Sequence, residues 1–282
     1  MLSMLFLVVA LPPEGKPLRR RFGLVADADS GPFPIFRHPE EHEGIPNVAL
    51  VQTGLGKVAS AAGTAYLAAR FGAPRDGVWL NVGVAGGGNR ALGDVVVAHK
   101  VRDVAREHDH YPAFARTAPC ATGELRTVER PTTDYDGDVL FDMEAAGFYA
   151  TACRFSSAEL VHTIKVISDG PGSSLEDVTP SRVEALIEAA FPMIDGFARD
   201  LVELSRELRI LAADPHVLAG LSVRFHLSVT ETRRLRRLLQ RLHALSGPED
   251  LVSTVAATSR DGTDFLRRLE SAVDALPPGG SR

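Results

Sequence analysis

Between residues 78 and 97 the chain reads Val-Trp-Leu-Asn-Val-Gly-Val-Ala-Gly-Gly-Gly-Asn-Arg-Ala-Leu-Gly-Asp-Val-Val-Val, and no other stretch restricts the fold as much. Residues 78–82 are mostly apolar and have the length of a strand buried on both faces, the pattern of a parallel sheet covered by helices. The run stops at a predicted loop carrying Gly83, Gly86, Gly87 and Gly88. Gly93-Asp94 then reads as a turn into a second buried strand, 95–98, so the spacing predicts a glycine loop clamped between two strands. A backbone this poor in Cβ atoms lets a ligand approach closely; the same residues also suit a tight connection that needs positive φ and nothing more.

The rest of the chain keeps up the alternation. Residues 5–11 predict a first strand, ended by Pro12-Pro13, which leave Glu14 just beyond its carboxyl end. The charged, proline-rich region 16–44 predicts one helix and an edge strand. A strand at 47–52 closes on Thr53-Gly54-Leu55-Gly56-Lys57 and feeds an alanine-rich helix, 58–71, small enough in its side chains to lie close to a sheet. Residues 102–138, rich in His, Pro, Thr and acids, carry no readable period. A small-residue helix at 141–155 capped by Asp142, a strand at 160–167 closing on Ser168-Asp169-Gly170-Pro171-Gly172, and a long helix at 180–208, broken near Pro192, complete the series. Such alternation predicts a mostly parallel sheet with helices on both faces, and sheets of this kind bind ligands outside the carboxyl ends of their strands. Glu14, the turn at 54–56, the Gly83 loop and Asp169 each follow an apolar run, so four segments deliver them to one edge.

The 282 residues, 45% hydrophobic and 24% charged, are those of a globular chain long enough to bury about three quarters of its unfolded surface. A net charge of −5 argues against nucleic acid as a partner. Cys120 and Cys153 are too few for a disulfide framework and lack metal-ligand spacing, which fits a reducing cytoplasm and a site with no metal or cofactor. The apolar start has no positive residue before it and no small-x-small cleavage site after it, so it reads as a buried strand; no run approaches the roughly 18 apolar residues of a membrane span. His108-Asp109-His110 lacks a clear third and fourth metal ligand and reads as a surface loop.

Two carboxylates facing one pocket are the equipment for breaking a glycosidic bond through an oxocarbenium-like transition state. If the leaving group is a purine, its N7 must take a proton. Asp169 suits that acid role, with a pKa raised by apolar walls, while Glu14 stays ionised and activates water. Glu144, beside Met143 at the start of a helix, has two acceptor oxygens to match two ribose hydroxyls. Each residue also has a plain structural use, as a helix cap, a dipole partner or a solvated loop side chain.

Thr53-Gly54-Leu55-Gly56-Lys57-Val58-Ala59, Asn81-Val82-Gly83-Val84-Ala85-Gly86-Gly87 with Gly93-Asp94-Val95-Val96-Val97, Asp142-Met143-Glu144-Ala145 and Ile167-Ser168-Asp169 together resemble the nucleoside phosphorylase and nucleosidase superfamily. The resemblance is greatest to the methylthioadenosine/S-adenosylhomocysteine nucleosidase type and spans about residues 5–208. It implies a phosphorylase-like three-layer α/β/α fold with a mixed, mostly parallel central sheet. It also implies that Glu14 activates water and Asp169 protonates the purine, that Met143 and Glu144 hold the ribose, and that Val84, Ala85 and Gly86 face sugar and base. Tyr135 and Phe148 are the candidates for the aromatic that stacks on the base. Val84 stands where the family commonly has a small hydroxyl residue. Arg90, or Arg19, Arg20, Arg21 and Arg37, would have to supply a phosphate site if the reaction were phosphorolysis.

The expected organisation is therefore a nucleosidase-like domain, 1–208, and a helical extension, 209–282, in which leucines 235, 238, 239, 242 and 245 alternate with arginines 233, 234, 236, 237 and 241. Helices are expected at 228–245, 249–255 and 263–276, with a frayed tail from 277. The expected activity is hydrolysis of a purine nucleoside, a 5′-modified adenosine, with water as co-substrate. Phosphorolysis to ribose 1-phosphate is the sibling reaction, and a non-catalytic nucleoside-binding or assembly protein is the alternative from another class. The resemblance further implies a homodimer or larger homo-oligomer.

Overall fold

The computed structural model describes residues 4–277, leaving out 30, 40–46, 136, 172–176, 212–214, 246 and 249. The chain divides into two compact units, 1–206 and 207–282. In the first, β1 (Met4–Val9), α1 (Pro12–Phe22), β2 (Val25–Ala26), β3 (Ile35–Arg37), β4 (Asn47–Gln52), α2 (Lys57–Phe71), β5 (Val78–Gly87) and β6 (Val95–Asp103) follow in order. They are succeeded by β7 (His108–His110), β8 (Ala121–Thr127), β9 (Val139–Asp142), α3 (Ala145–Ala152), β10 (Val161–Asp169) and α4 (Pro180–Leu211), whose last turns contain the division between the units.

Four strands, β4, β1, β5 and β10, run parallel through the centre of a mixed sheet. Leu7 lies level with Leu50 and Leu80, a layer of leucines with no solvent exposure. Antiparallel β3 and β2 extend the β4 edge. Beyond β5 the sheet curls, because β10, β6, β8 and β9 pair in succession and β9 returns to β5 at Gly86 and Gly87. One face is covered by α2 and α3, which bury Leu67 and Phe148 against Phe6, Val8, Trp79 and Val161. Burying each such side chain contributes about 1.5–3 kcal/mol. The other face carries α1 and α4, tied to each other by ion pairs from Lys16 to Glu184 and from Arg20 and Arg21 to Glu188.

Several expected boundaries move. Pro12 and Pro13 are the first residues of α1 rather than strand terminators, since a helix start has no use for their missing N–H groups. Glu14 lies, as expected, just past the carboxyl end of β1, in the first turn of α1. The segment 83–87 is strand, not loop: the hydrogen bonds of β9 and β10 carry β5 through it. Asp169 is the last residue of β10. Residues 141 and 142 belong to β9, so the helix expected from 141 begins only at Ala145. Pro192 does not break α4; it sits on the exposed side, where water can satisfy the carbonyl its ring leaves free. The unreadable region 102–138 supplies β7 and β8, whose polar, half-exposed residues show no apolar period.

The second unit holds α5 (Pro215–Arg224), which was not expected, α6 (Val229–Ala244), α7 (Leu251–Thr258) and α8 (Gly262–Asp274). Ser228 caps α6 in a reciprocal pair with Glu231, and Leu235, Leu238, Leu239 and Leu242 pack with Phe265, Leu266, Leu269 and Val273. Arg234 and Arg241 pair with Glu270 and Asp274 of α8. The expected tail lies, beyond Pro277, outside the described residues.

Candidate active site

A cavity of about 210 Å³ opens at the carboxyl ends of β1, β5, β9 and β10 and is lined by Glu14, Val84, Ala85, Gly86, Met143, Glu144, Ser168 and Asp169 among others. All the expected site residues except the two candidate aromatics, Tyr135 and Phe148, thus line it. Phe148 is fully buried among Phe6, Trp79 and Val161 beneath α3, because the helical period turns it toward the sheet rather than the pocket. A wider cleft of about 640 Å³ beside α1 and α4 is lined by no buried titratable group.

Glu14 owes its position to the start of α1. Its Oε2 accepts from the N–H groups of Ala10 at 2.9 Å and Leu11 at 2.8 Å, closing the first helical turn onto the strand end. Its Oε1 accepts from the Val84 N–H at 3.0 Å. Val84 thus contributes through its backbone, which its apolar side chain does not impair. A Cβ on Gly83 would lie 2.5 Å from that Oε1 and 3.2 Å from Lys165 Nζ, so residue 83 has to be glycine for the carboxylate to reach this place.

Lys165, unremarked in the sequence, is the centre of the site's electrostatics. It lies on β10 beside Gly83, is 2% exposed, and donates to Asp142 Oδ2 at 2.9 Å. Burial works against its charge, yet Asp142, Glu144 and Glu14 together hold its pKa above the ordinary lysine value. Burial likewise pushes the Glu14 carboxyl up, opposed by Lys165 and the three N–H donors. Glu144 is raised to about 7, first by burial and then by Asp142 and Glu14, against Lys165 and the Gly56 N–H. That N–H, at 2.8 Å from Glu144 Oε1, comes from the turn between β4 and α2, where Gly56 has φ of 96°.

Asp142 does cap α3, accepting from the Ala145 N–H at 2.9 Å, while Thr127 Oγ1 donates to its other oxygen and accepts from the Ala146 N–H. The helix start that carries Glu144 is thereby anchored to β8 and, through Lys165, to β10. Asp169 receives the Ser168 hydroxyl at Oδ1, 2.5 Å away, and the Tyr135 hydroxyl at Oδ2. Tyr135 therefore reaches the pocket as a donor to the expected acid.

The arginines considered for phosphate are engaged elsewhere. Arg90 forms a two-pronged pair with Asp138 at 2.6 and 2.8 Å, Arg19 stacks on Phe36, and Arg20 and Arg21 hold Glu188. Arg37 lies 3.7 Å from Asp27. Asp109 of the histidine cluster pairs with Lys100 and Arg102.

The mixed sheet with a parallel centre and helices on both faces is a fold that this chain shares with solved nucleosidase structures. Among solved structures it resembles the 5′-methylthioadenosine/S-adenosylhomocysteine nucleosidase of Helicobacter pylori at a TM-score of 0.59 and 14% identity, over 71% of this chain and 99% of that one. The Arabidopsis thaliana 5′-methylthioadenosine nucleosidase aligns at 0.57 and 20% identity, over 70% of this chain and 96% of that one. The futalosine hydrolase of Helicobacter pylori aligns at 0.59 and 14% identity, over 71% and 99%. No protein-family model matches the sequence, and no curated protein matches it.

Proposed function

We propose that this protein hydrolyses the N-glycosidic bond of a purine nucleoside, a 5′-modified adenosine, releasing the free base and the sugar. The observation that carries the reading is the meeting of Glu14, Met143, Glu144 and Asp169 with the Val84–Ala85–Gly86 backbone in one pocket, from four separate segments. Asp169 gives a proton to N7 as the C1′–N9 bond breaks, so the base leaves neutral. Glu14 takes a proton from the attacking water, whose oxygen bonds to C1′. Glu144 accepts from the ribose hydroxyls and Met143 packs under the sugar. Lys165 keeps the anionic charge near the developing oxocarbenium ion compatible with burial. Water is the favoured nucleophile because Arg90 is committed to Asp138 and the described pocket lining contains no arginine or lysine.

The same reading places the protein in the cytoplasm, where Cys120 and Cys153 stay free, and pairs it with a second copy of itself. No described helix is long and apolar enough to cross a membrane. Leu55 lines the pocket and is 57% exposed, and Val58 one turn on is 77% exposed, an apolar rim that a partner subunit would cover. The test is incubation with methylthioadenosine, S-adenosylhomocysteine, 5′-deoxyadenosine, adenosine and inosine, with and without phosphate, following base and sugar by chromatography. Free base with unphosphorylated sugar in both buffers is expected. Base release only with phosphate would replace water by phosphate, and silence across the panel would favour a binding protein.

A further inference from the structure

Tyr135 stands where the base of the proposed substrate has to go. Its hydroxyl donates to Asp169 Oδ2, while Ser168 holds Oδ1, so both oxygens of the proposed acid are engaged inside the protein. Its ring lies against Gly86, one of the backbone positions facing the base: a Cβ there would be 2.6 Å from Tyr135 Cε1 and 3.0 Å from Asp169 Oδ2. Phe141, also in the pocket lining, meets the ring edge-on at 6.1 Å between centroids and supports it in that place. Burial and the nearby Asp169 raise the phenol's pKa, which keeps it a neutral donor. The remaining cavity, about 210 Å³, is below the roughly 300–1,000 Å³ of ordinary small-molecule sites. A purine over Gly86 with N7 at Oδ2 and the phenol of Tyr135 in its present place exclude one another.

We propose that Tyr135 is a specificity-determining residue that competes with the base for Asp169, so that a nucleoside binds only when its base displaces the tyrosine hydroxyl from Oδ2. The proposal rests on the nucleosidase reading, since it takes Asp169 as the group the base must reach. Affinity is then the difference between the base's contacts and the phenol–carboxylate bond that has to be broken. A base without a ring nitrogen suited to Oδ2 leaves the tyrosine in place and is rejected.

The experiment compares the wild-type protein with Tyr135→Phe, which keeps the ring and removes the O–H. Adenine affinity is measured by calorimetry, KM for methylthioadenosine is measured alongside, and the Tyr135 ring is followed by NMR of the wild type labelled with 13C-tyrosine. Removing the phenol O–H frees Oδ2 for the base, so Y135F is expected to bind adenine about tenfold tighter and to show KM lowered by a similar factor. A merely structural hydrogen bond would weaken affinity when removed. Adenine is also expected to shift the Tyr135 resonance, an outcome that needs no variant to fold. Unchanged or weaker adenine binding by Y135F, a resonance that does not move on binding, or no adenine binding by either protein would overturn the proposal. Tighter adenine binding by Y135F with no nucleoside hydrolysed would sustain the tyrosine's role and reject the hydrolytic reading; hydrolysis with an unchanged KM would do the reverse.

Discussion

Glu14 and Glu144 gather with Asp142 around Lys165, and the surroundings of the pocket carboxylates differ. Glu14 is held by three backbone N–H groups, Glu144 by the Gly56 N–H, and Asp169 by two hydroxyls. Removing the proposed acid or the proposed base without changing shape, by Asp169→Asn or Glu14→Gln, should lower kcat by about 10²–10⁴, measured as base release under saturating nucleoside. Glu144 makes a pH prediction. Its pKa of about 7 means that the ionised form, the one able to accept from both ribose hydroxyls, grows in as pH rises through 7, so kcat/KM should fall below that point and Glu144→Gln should remove the limb. The sign for stability is opposite to that of a salt-bridged carboxylate. Between the ordinary glutamate value of 4.5 and about 7 the native protein holds a proton that the unfolded chain has released, so stability should decline as pH rises across that window in wild type and not in E144Q, as urea titrations at several pH values would register. Glu14, Glu144 and Asp169 were legible in the sequence because each follows an apolar strand or opens a helix. Lys165 was not, since a single lysine inside Val-His-Thr-Ile-Lys-Val-Ile-Ser looks like any solvated strand residue until its three partners arrive from elsewhere.

At the scale of elements, glycine sets how closely neighbouring helices approach. Gly147 of α3 packs on the backbone of Lys57, at the start of α2, closely enough that an added Cβ would collide with the Lys57 carbonyl group. Gly147→Ala should therefore push α2 and α3 apart and destabilise the protein by about 1–3 kcal/mol, read from the urea midpoint, even though alanine is the better helix former. Measured unchanged stability would mean that the two helices slide freely. The helices and strands with a strong apolar period, β4, α2 and α6 among them, fall within a residue of their expected limits. The glycine run at 83–87 misled because glycine weakens any strand taken alone; β9 and β10 impose the extended backbone from outside. β7, β8 and β9 escaped for the complementary reason, being short and polar and paired with strands distant in sequence.

At the scale of the whole molecule, the proposed second subunit would cover the apolar rim of Leu55 and Val58 at the pocket mouth. Sedimentation velocity should find a homo-oligomer, and Val58→Asp, at a site 77% exposed in the single chain, should shift it toward monomer; a wild-type protein that sediments as a monomer at every concentration would reject the pairing. From the sequence alone came the alternation of strands and helices, the delivery of Glu14, Asp169 and the glycines to one sheet edge, and the leucine stripe of α6. These follow from local periodicity and chain order, which need no distant partner. Only the tertiary structure decided that the sheet curls back on β5, that Lys165 pairs with Asp142 beneath the pocket, that Phe148 turns into the core and that Tyr135 lies across Asp169. Each depends on residues far apart in the chain meeting with no water between them, and the energy of a buried charge or ring is set by those neighbours rather than by the residue's own place in the sequence.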